Sequence, residues 1–316
     1  MPWLESAGEL ARARAEQPFV ALAPTGRLFG VFTPPAPDAP AADLCVVLLT
    51  RPRSHRNRMW IEGARRLAAQ GFSAVRVDYH GCGDSGGDSA VLDPNRPYRD
   101  DVAAVMRHAR EHFGARRFVL CGACFDARTA LSAFAAEADS IAGLVFIAAP
   151  VMELDTVVRV HADTKDWGHL WRALFKQDNW RALTTPGRWK HMSAVVGRVT
   201  RRSLTGAGGE LPLSAGFVED FRALVRSRAR ALFLYGVEDA EYASFRVAER
   251  TVFAALPADV RARFEVEIWP GSVHGFLEMV RQRETFTRAL GWIEALHPRR
   301  GATSNARDQA ERHAAT

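Results

Sequence analysis

The sequence predicts an α/β protein with a mostly parallel central sheet and helices on both faces of that sheet. Short apolar runs alternate with segments of helical spacing along most of the 316 residues, and this alternation is typical of parallel sheets. Residues 44–49 (LCVVLL) form a continuous apolar run, as expected of a strand that is buried on both faces. Between about residues 151 and 213 the alternation stops, and no strand is predicted there.

Strands are predicted at short runs rich in apolar side chains, and helices at the amphipathic segments between them. The first two strands are expected to form a short hairpin. The predicted strands are residues 19–22, 28–32, 44–49, 74–79, 118–121, 144–148, 231–235 and 264–269. The predicted helices are residues 61–69, 98–113, 125–136, 242–255 and 278–296.

The stretch without strands divides the chain. Trp167 and Trp171 fall at helical spacing with neighbouring leucines, and a long helical insertion between two sheet strands is the kind of element that becomes a lid. The polar composition after residue 296 predicts disorder. The expected units are a core of residues 1–150 and 214–296, a helical cap of residues 151–213 and a disordered tail of residues 297–316.

Composition restricts the class of protein. The net charge is +6, but no zinc-finger spacing, basic heptad helix or aromatic–basic RNA motif occurs, so nucleic acid is not an expected partner. No apolar run approaches the ~20 residues of a membrane helix, and the first residues lack the plan of a signal peptide, so we expect a cytoplasmic protein. The four cysteines are too few for a disulfide framework. No histidine cluster has metal-site spacing, and neither a metal nor a cofactor is expected.

The main chemical signal lies at residues 118–131. An apolar run ends at Gly122 and a helix-forming run begins just after Cys124, a layout that lifts one reactive side chain above a sheet. Residues 122–126 have the sequence G-A-C-F-D, so a thiol stands where the usual G-x-S-x-G pattern has a hydroxyl. Because a thiolate is a strong nucleophile at neutral pH, the pattern predicts acyl transfer through Cys124.

Two further residues complete a candidate catalytic triad. Asp239 follows the 231–235 strand, and His274 follows the 264–269 strand. Both therefore lie at the carboxyl ends of predicted strands, where the loops of a parallel sheet converge. The order nucleophile, acid, histidine predicts Cys124 as nucleophile, His274 as base and Asp239 as the carboxylate that orients the imidazole. Glu238 remains an alternative acid.

With these motifs in this order, residues 15–296 resemble the α/β-hydrolase superfamily. The sequence D-Y-H-G-C-G-D-S-G-G at residues 78–87 is similar to the D-x-x-G-x-G-x-S loop of the aminopeptidase, lipase and thioesterase-like branches. The cysteine elbow is similar to that of dienelactone hydrolases and polyhydroxyalkanoate synthases, which implies an acyl-cysteine intermediate. Two positions depart from the superfamily pattern: Asp126 replaces the last elbow glycine, and T-R-P-R at residues 50–53 replaces the usual His-Gly.

Other interpretations of the same residues stay open. Free cysteines are often buried and structural, and Cys124 fits that interpretation as well. Cys121 and Cys124 spell C-x-x-C, a redox motif in other contexts. Ser85 satisfies G-x-S-x-G literally, although glycine-rich turns commonly follow strands.

Acyl transfer also requires an oxyanion hole made of two N–H groups. The Phe125 N–H follows the nucleophile and is the first candidate. The second is expected from Arg51 or Arg53 in the loop after the third strand, since Pro52 has no N–H. Arginines of this loop can pair with a substrate carboxylate or phosphate. The candidate residues for substrate binding are Arg53, Arg56, Trp167 and Trp171.

The expected function is acyl transfer from a small-molecule ester or thioester onto Cys124 and then onto water, an amine or an alcohol. Between residues 155 and 202, ten Lys and Arg residues occur with four Asp residues. This excess favours an acyl carrier protein or coenzyme A as the donor, and a solvated basic face is the alternative. A simple carboxylic-ester or lactone hydrolase, or a non-catalytic binding protein on a hydrolase fold, are the other two hypotheses.

Overall fold

The computed structural model describes residues 16–39, 42–54, 56–87, 97–152, 213–274 and 278–297, with Arg56 described by its main chain alone. The predicted tail and cap lie outside these residues except at their ends. In the described part of the chain, eight strands form one sheet. They are β1 (Gln17–Ala23), β2 (Gly26–Thr33), β3 (Leu44–Leu49), β4 (Ser73–Val77), β5 (Arg117–Ala123), β6 (Ile141–Ile147), β7 (Arg230–Gly236) and β8 (Phe264–Trp269).

The strands lie in the order β1-β2-β4-β3-β5-β6-β7-β8. β1 and β2 form the predicted hairpin, and β2 pairs antiparallel with β4. From β4 to β8 every pairing is parallel, which confirms the predicted fold class. The carboxyl ends of β5, β7 and β8 therefore lie along one edge of the sheet, and the residues that follow them are brought together there.

Burial of both sheet faces explains the continuous apolar runs. All six residues of β3 are buried. Cys45, Val47 and Leu49 belong to the core on one face, and the alternating Leu44, Val46 and Leu48 belong to the core on the other. A strand with this period of two must be apolar at every position when helices cover both faces.

The helices of the described residues divide between the two faces of the sheet. They are α1 (Met59–Ala69), α2 (Arg99–Phe113), α3 (Phe125–Glu137), α4 (Ala215–Arg226), α5 (Ala240–Ala248), α6 (Ala258–Arg261) and α7 (Met279–Leu296). α1 and α7 pack on one face, where Trp60 of α1 meets Phe286 of α7 with ring centroids 6.1 Å apart. α2 to α5 pack on the other face.

Three segments differ from the predicted helices, and the shortest of them is the unpredicted α6. The expected helix at residues 242–255 begins earlier, as α5, and continues as a π-helical segment at Glu249–Phe253. α4 was not predicted, although its buried residues Phe217, Phe221 and Leu224 recur at helical spacing. Its side chains complete an aromatic cluster, in which Phe221 and Phe253 have ring centroids 4.8 Å apart.

The two ends of the predicted cap meet at the edge of the core. Met152 and Leu213 form an isolated antiparallel bridge, and the Ser214 N–H donates to the Val151 carbonyl at 3.0 Å. The residues on the two sides of the 153–212 segment are therefore adjacent in space. Among the described residues, no helix has both the length and the apolar character needed to cross a membrane.

Candidate active site

Cys124 occupies the sharp turn between β5 and α3. Its backbone has φ 54° and ψ −123°, a left-handed conformation that a residue with a Cβ rarely adopts. Its N–H donates to the Ile147 carbonyl at 2.8 Å, and its carbonyl accepts from the Ala127 N–H at 3.0 Å. Gly122 lacks a side chain for a steric reason, because a Cβ there would overlap the main chain of Asp126. The turn therefore presents the thiol at the carboxyl edge of the sheet.

The Cys124 thiol lies in a partly buried position among anionic neighbours. Burial, together with the carboxylates of Glu241 and Asp126, raises its pKa to about 12. The Phe125 N–H, which donates towards the sulfur, and the Arg51 guanidinium act in the opposite direction. The thiol is therefore protonated at neutral pH, so that nucleophilic attack requires a base that takes the proton.

His274 lies just after β8, and the fold brings its side chain close to Cys124. One ring nitrogen of His274, the Cys124 sulfur and one Glu241 carboxylate oxygen all lie within 4.8 Å of one another. A Glu241 carboxylate faces the imidazole, with its Oε2 3.7 Å from His274 Nδ1. The His274 side chain is 33% exposed, whereas the Glu241 side chain is fully buried.

Asp239 takes a different place from the one predicted for it. Its carboxylate accepts hydrogen bonds from the N–H groups of Gly236 at 2.6 Å and His274 at 3.1 Å, and from the Ser272 hydroxyl. These contacts join the loop after β7 to the loop after β8. Asp239 thus contacts the main chain of His274, while Glu241 in the first turn of α5 faces its ring. The alternative acid Glu238 is exposed.

Sequence reasoning missed Glu241 because it lies inside a helix rather than directly after a strand. Its position two residues after Asp239 gave a weak signal, since α5 begins at the carboxyl end of β7. The same reasoning found no metal-site spacing, because Cys124, Glu241 and His274 come from three distant segments that only the sheet brings together.

The two departures from the superfamily pattern are partners in the structure. Asp126 is buried in the first turn of α3, and its Oδ1 lies 3.6 Å from Arg51 Nε in the loop after β3. Burial raises the pKa of Asp126 to about 6, while Arg51 and the nearby Tyr79 lower it. A carboxylate in the elbow needs a neighbouring cation, and the loop supplies one.

The candidate oxyanion donors are narrowed by the hydrogen bonds of this loop. The Arg53 N–H donates to Asp78 Oδ1 at 2.6 Å and is not available to a substrate. The Arg53 guanidinium pairs with Asp78 and, at 2.7 Å, with Asp84, so that this side chain anchors the loop instead of presenting a fork to a substrate anion. The N–H groups of Phe125 and Arg51 remain the candidates.

The other predicted residues fall into two groups. The Ser85 hydroxyl accepts from the Phe29 N–H at 2.7 Å and donates to the Asp78 carbonyl at 2.6 Å, so it holds the turn after β4. Cys121 is buried within β5, and burial raises its pKa to about 12. The substrate-binding candidates Trp167 and Trp171 and the side chain of Arg56 lie outside the described residues.

Comparison with known proteins agrees with this architecture. The family model of the serine aminopeptidase S33 hydrolases matches residues 40–201, half of the chain. The chain belongs to the serine aminopeptidase S33 family. This serine aminopeptidase relative carries cysteine at the elbow, at Cys124. No curated protein matches the chain.

Solved structures of low identity share the fold of this S33 family member. The proline iminopeptidase of Mycobacterium smegmatis is 13% identical, covers 89% of this chain and 98% of its own, and has a TM-score of 0.57. An esterase of Pyrococcus furiosus is 15% identical over 89% and 91% of the two chains, with a TM-score of 0.54. A carboxyl esterase of Bacillus coagulans is 12% identical over 89% and 98%, also with a TM-score of 0.54.

Proposed function

We propose that the protein is an acyl-transfer enzyme in which Cys124 accepts an acyl group from an ester or thioester. The observation that carries the proposal is the left-handed turn at Cys124, which holds the thiol beside His274 at the carboxyl edge of the sheet. A buried structural cysteine needs neither this strained backbone nor a histidine next to its sulfur. Strain of this kind is maintained at functional sites.

The mechanism of acylation follows from the protonation state of the Cys124 thiol. The thiol is protonated, so its sulfur attacks the acyl carbonyl as the proton passes to His274. The negative charge on the carbonyl oxygen is stabilised by the N–H groups of Phe125 and Arg51. When the intermediate collapses, the bond to the leaving alcohol or thiol breaks and His274 returns the proton to that group. Water, an amine or an alcohol then takes the acyl group from Cys124 by the reverse sequence.

The imidazole needs a carboxylate that stabilises its charged form, and Glu241 is the acid in contact with it. Asp239, the acid first expected in this role, is proposed to position the loop that carries His274.

Glu241→Gln should then lower kcat/KM by about 10²–10³ with little change in the unfolding free energy. Asp239→Asn should chiefly lower stability, since it loses an acceptor for several buried donors. If Asp239→Asn alone removes activity from a folded protein, the two roles are reversed.

A thioester donor fits the chemistry of the nucleophile, because exchange between a thioester and a cysteine is nearly balanced. The basic residues between 155 and 202 support an acyl carrier protein or coenzyme A as the carrier of that thioester. The fold is shared with esterases from two organisms, which supports a simple carboxylic-ester or lactone hydrolase as the second candidate.

The deciding experiment is intact-protein mass after mixing with acyl-coenzyme A thioesters and matched small esters, in a buffer with a chelator. We expect an added acyl mass on the wild type and none on Cys124→Ala. A thioester adduct supports the first candidate, and turnover of esters alone supports the second. Absence of both adduct and turnover with every donor would contradict both and favour a binding protein.

Hydrolysis is separated from transfer by adding an amine or alcohol acceptor to the acylated enzyme. Decay of the adduct that accelerates in proportion to acceptor concentration and yields the acylated acceptor indicates transfer. Decay that is independent of acceptor concentration indicates hydrolysis.

A further inference from the structure

The thiol, imidazole and carboxylate of the site form a triangle rather than a line. In a relay the imidazole lies between nucleophile and acid, which places the acid oxygen about 7 Å from the nucleophile when both hydrogen bonds have ordinary lengths. Here the Cys124 sulfur and a Glu241 oxygen are within 4.8 Å of each other, and a His274 nitrogen is within 4.8 Å of both. The imidazole is therefore beside the other two groups and not between them.

Three donors at the corners of a small triangle are the geometry of a chelating site. Tetrahedral zinc bound to sulfur, nitrogen and oxygen keeps its donor atoms about 3.5 Å apart. The His274 Nδ1 to Glu241 Oε2 distance of 3.7 Å is close to this value. The Cys124 sulfur lies within 4.8 Å of both atoms, so it needs to approach them by about 1 Å at most to reach this spacing. In the described part of the chain no second group of three such residues occurs.

The charges around the triangle favour a cation. Glu241 and Asp126 both act on the Cys124 thiol with negative charge, and Arg51 is the guanidinium that opposes them. Arg51 is itself paired with Asp126, and the Glu241 carboxylate is fully buried within 4.8 Å of the Cys124 sulfur. The partly exposed His274 side chain leaves a route for an ion from solvent.

We propose that Cys124, Glu241 and His274 bind one zinc ion in the absence of substrate. The thiol loses its proton to solvent as the sulfur–zinc bond forms, neutral His274 donates a ring-nitrogen lone pair, and Glu241 donates a carboxylate oxygen. A water molecule takes the fourth position, and no electron is transferred. Since the sulfur lone pair is then held by the metal, zinc blocks acylation of Cys124 until a chelator removes it.

The test uses Co²⁺ as a spectroscopic probe and Zn²⁺ as its competitor, in protein without substrate. We expect a sulfur-to-cobalt charge-transfer band that saturates at one ion per chain and is lost on adding Zn²⁺. Cys124→Ser should abolish the band, and Glu241→Gln should weaken Zn²⁺ binding at least tenfold. Cys82→Ser is the matched control, because Cys82 is also a partly exposed thiol but belongs to no such triangle among the described residues. It should bind both ions as the wild type does.

Thermal unfolding of each metal-free variant verifies that a variant that does not bind metal is still folded. If Glu241→Gln is not folded, Cys124→Ser alone tests the proposal. A band that persists in Cys124→Ser, a band lost in Cys82→Ser, or Zn²⁺ affinity equal in all variants would overturn the proposal and indicate an adventitious ion only. Metal binding is measured without substrate, so a failure to bind metal does not bear on the acyl-transfer proposal. A failure of acylation in the presence of chelator likewise does not bear on the zinc proposal.

Discussion

At the scale of single residues, Cys124 combines a strained backbone conformation with the reactive thiol. A side chain held at φ 54° costs about 1–3 kcal/mol, and the hydrogen bonds of its N–H to Ile147 and its carbonyl to Ala127 maintain the conformation. The cost arises from the Cβ, whereas the reactivity arises from the sulfur one bond further. The two contributions can therefore be separated by substitution.

Cys124→Ala and Cys124→Gly form a matched pair for this separation. Both remove the sulfur and should abolish acylation, but only alanine keeps the strained Cβ. We expect the glycine variant to be more stable than the alanine variant by about 1 kcal/mol in urea unfolding, because glycine adopts positive φ without strain. Without strain the order reverses, since glycine loses more backbone entropy on folding. The reversed order would therefore contradict a strained turn.

Asp126 provides a pH-dependent prediction. Its pKa rises from 3.8 in the unfolded chain to about 6 in the folded protein, mainly through burial. The folded state therefore binds the Asp126 proton more tightly, and this contribution to stability is complete below about pH 4 and is lost as pH rises through 6. The total is roughly 3 kcal/mol at 1.4 kcal/mol per pKa unit.

Asp126→Asn removes this titration. Urea unfolding with chelator at pH 4, 5, 6, 7 and 8 should show the variant gaining stability relative to the wild type up to about pH 7 and staying level above it. A difference in unfolding free energy that does not change with pH would contradict the assigned ionisation.

At the scale of elements, the loop after β4 fixes the loop after β3. The Asp78 carboxylate accepts the Arg53 N–H and pairs with its guanidinium, and it fills the space where a side chain at residue 83 would lie. Gly83 has φ +55° and Gly114 has φ +69°, but a Cβ at Gly114 would meet no atom within 4 Å. The two glycines thus differ in their surroundings and not in their backbone conformation.

Gly83→Ala and Gly114→Ala separate backbone strain from contact. Gly114→Ala should cost about 1 kcal/mol from positive φ alone. Gly83→Ala should cost about 2–4 kcal/mol, because Asp78 must also move and release Arg53. Acylation rates should fall in Gly83→Ala only, since it displaces the loop that carries Arg51. Equal unfolding free energies for the two variants would show that Asp78 does not hold the loop.

Local patterns predicted the strands well, and their limits are visible at the site. β8 has its predicted bounds, because Arg263 and Pro270 flank a segment in which apolar residues alternate with glutamates. The turn at Cys124 was predicted because an apolar run meets a helix there. Which acid faces His274 was not predictable, because Asp239 and Glu241 differ only in the direction that α5 takes relative to β8. That direction depends on contacts far apart in sequence.

At the scale of the whole molecule, the described core holds together the residues on the two sides of the 153–212 segment. Met152 pairs with Leu213, and Ser214 bonds to Val151, so the two ends are already adjacent. Across such a bridge the Cα atoms lie about 5 Å apart, a distance that a four-residue linker spans. The sheet and the triangle of Cys124, Glu241 and His274 lie entirely outside the bridged segment.

Replacement of residues 153–212 by a Gly-Ser linker of four residues should therefore leave a folded core. We expect cooperative thermal unfolding and acylation of Cys124 by a small ester, with loss of any preference for a coenzyme A donor. Non-cooperative unfolding would indicate that the segment belongs to the core. A retained preference would indicate that the donor's phosphates are bound elsewhere.

The pairing of Arg51 with Asp126 has a consequence for how such chains diverge. Loss of Arg51 alone leaves a buried anion without its cation, and replacement of Asp126 by glycine alone leaves a cation beside the thiol. Substitution of Arg51 alone or of Asp126 alone is thus disfavoured, whereas substitution of both residues removes the two charges together. The two positions should covary among homologues, so that an elbow ending in glycine occurs with an uncharged residue at position 51. This correlation would mark a lineage that is recognisable from sequence alone.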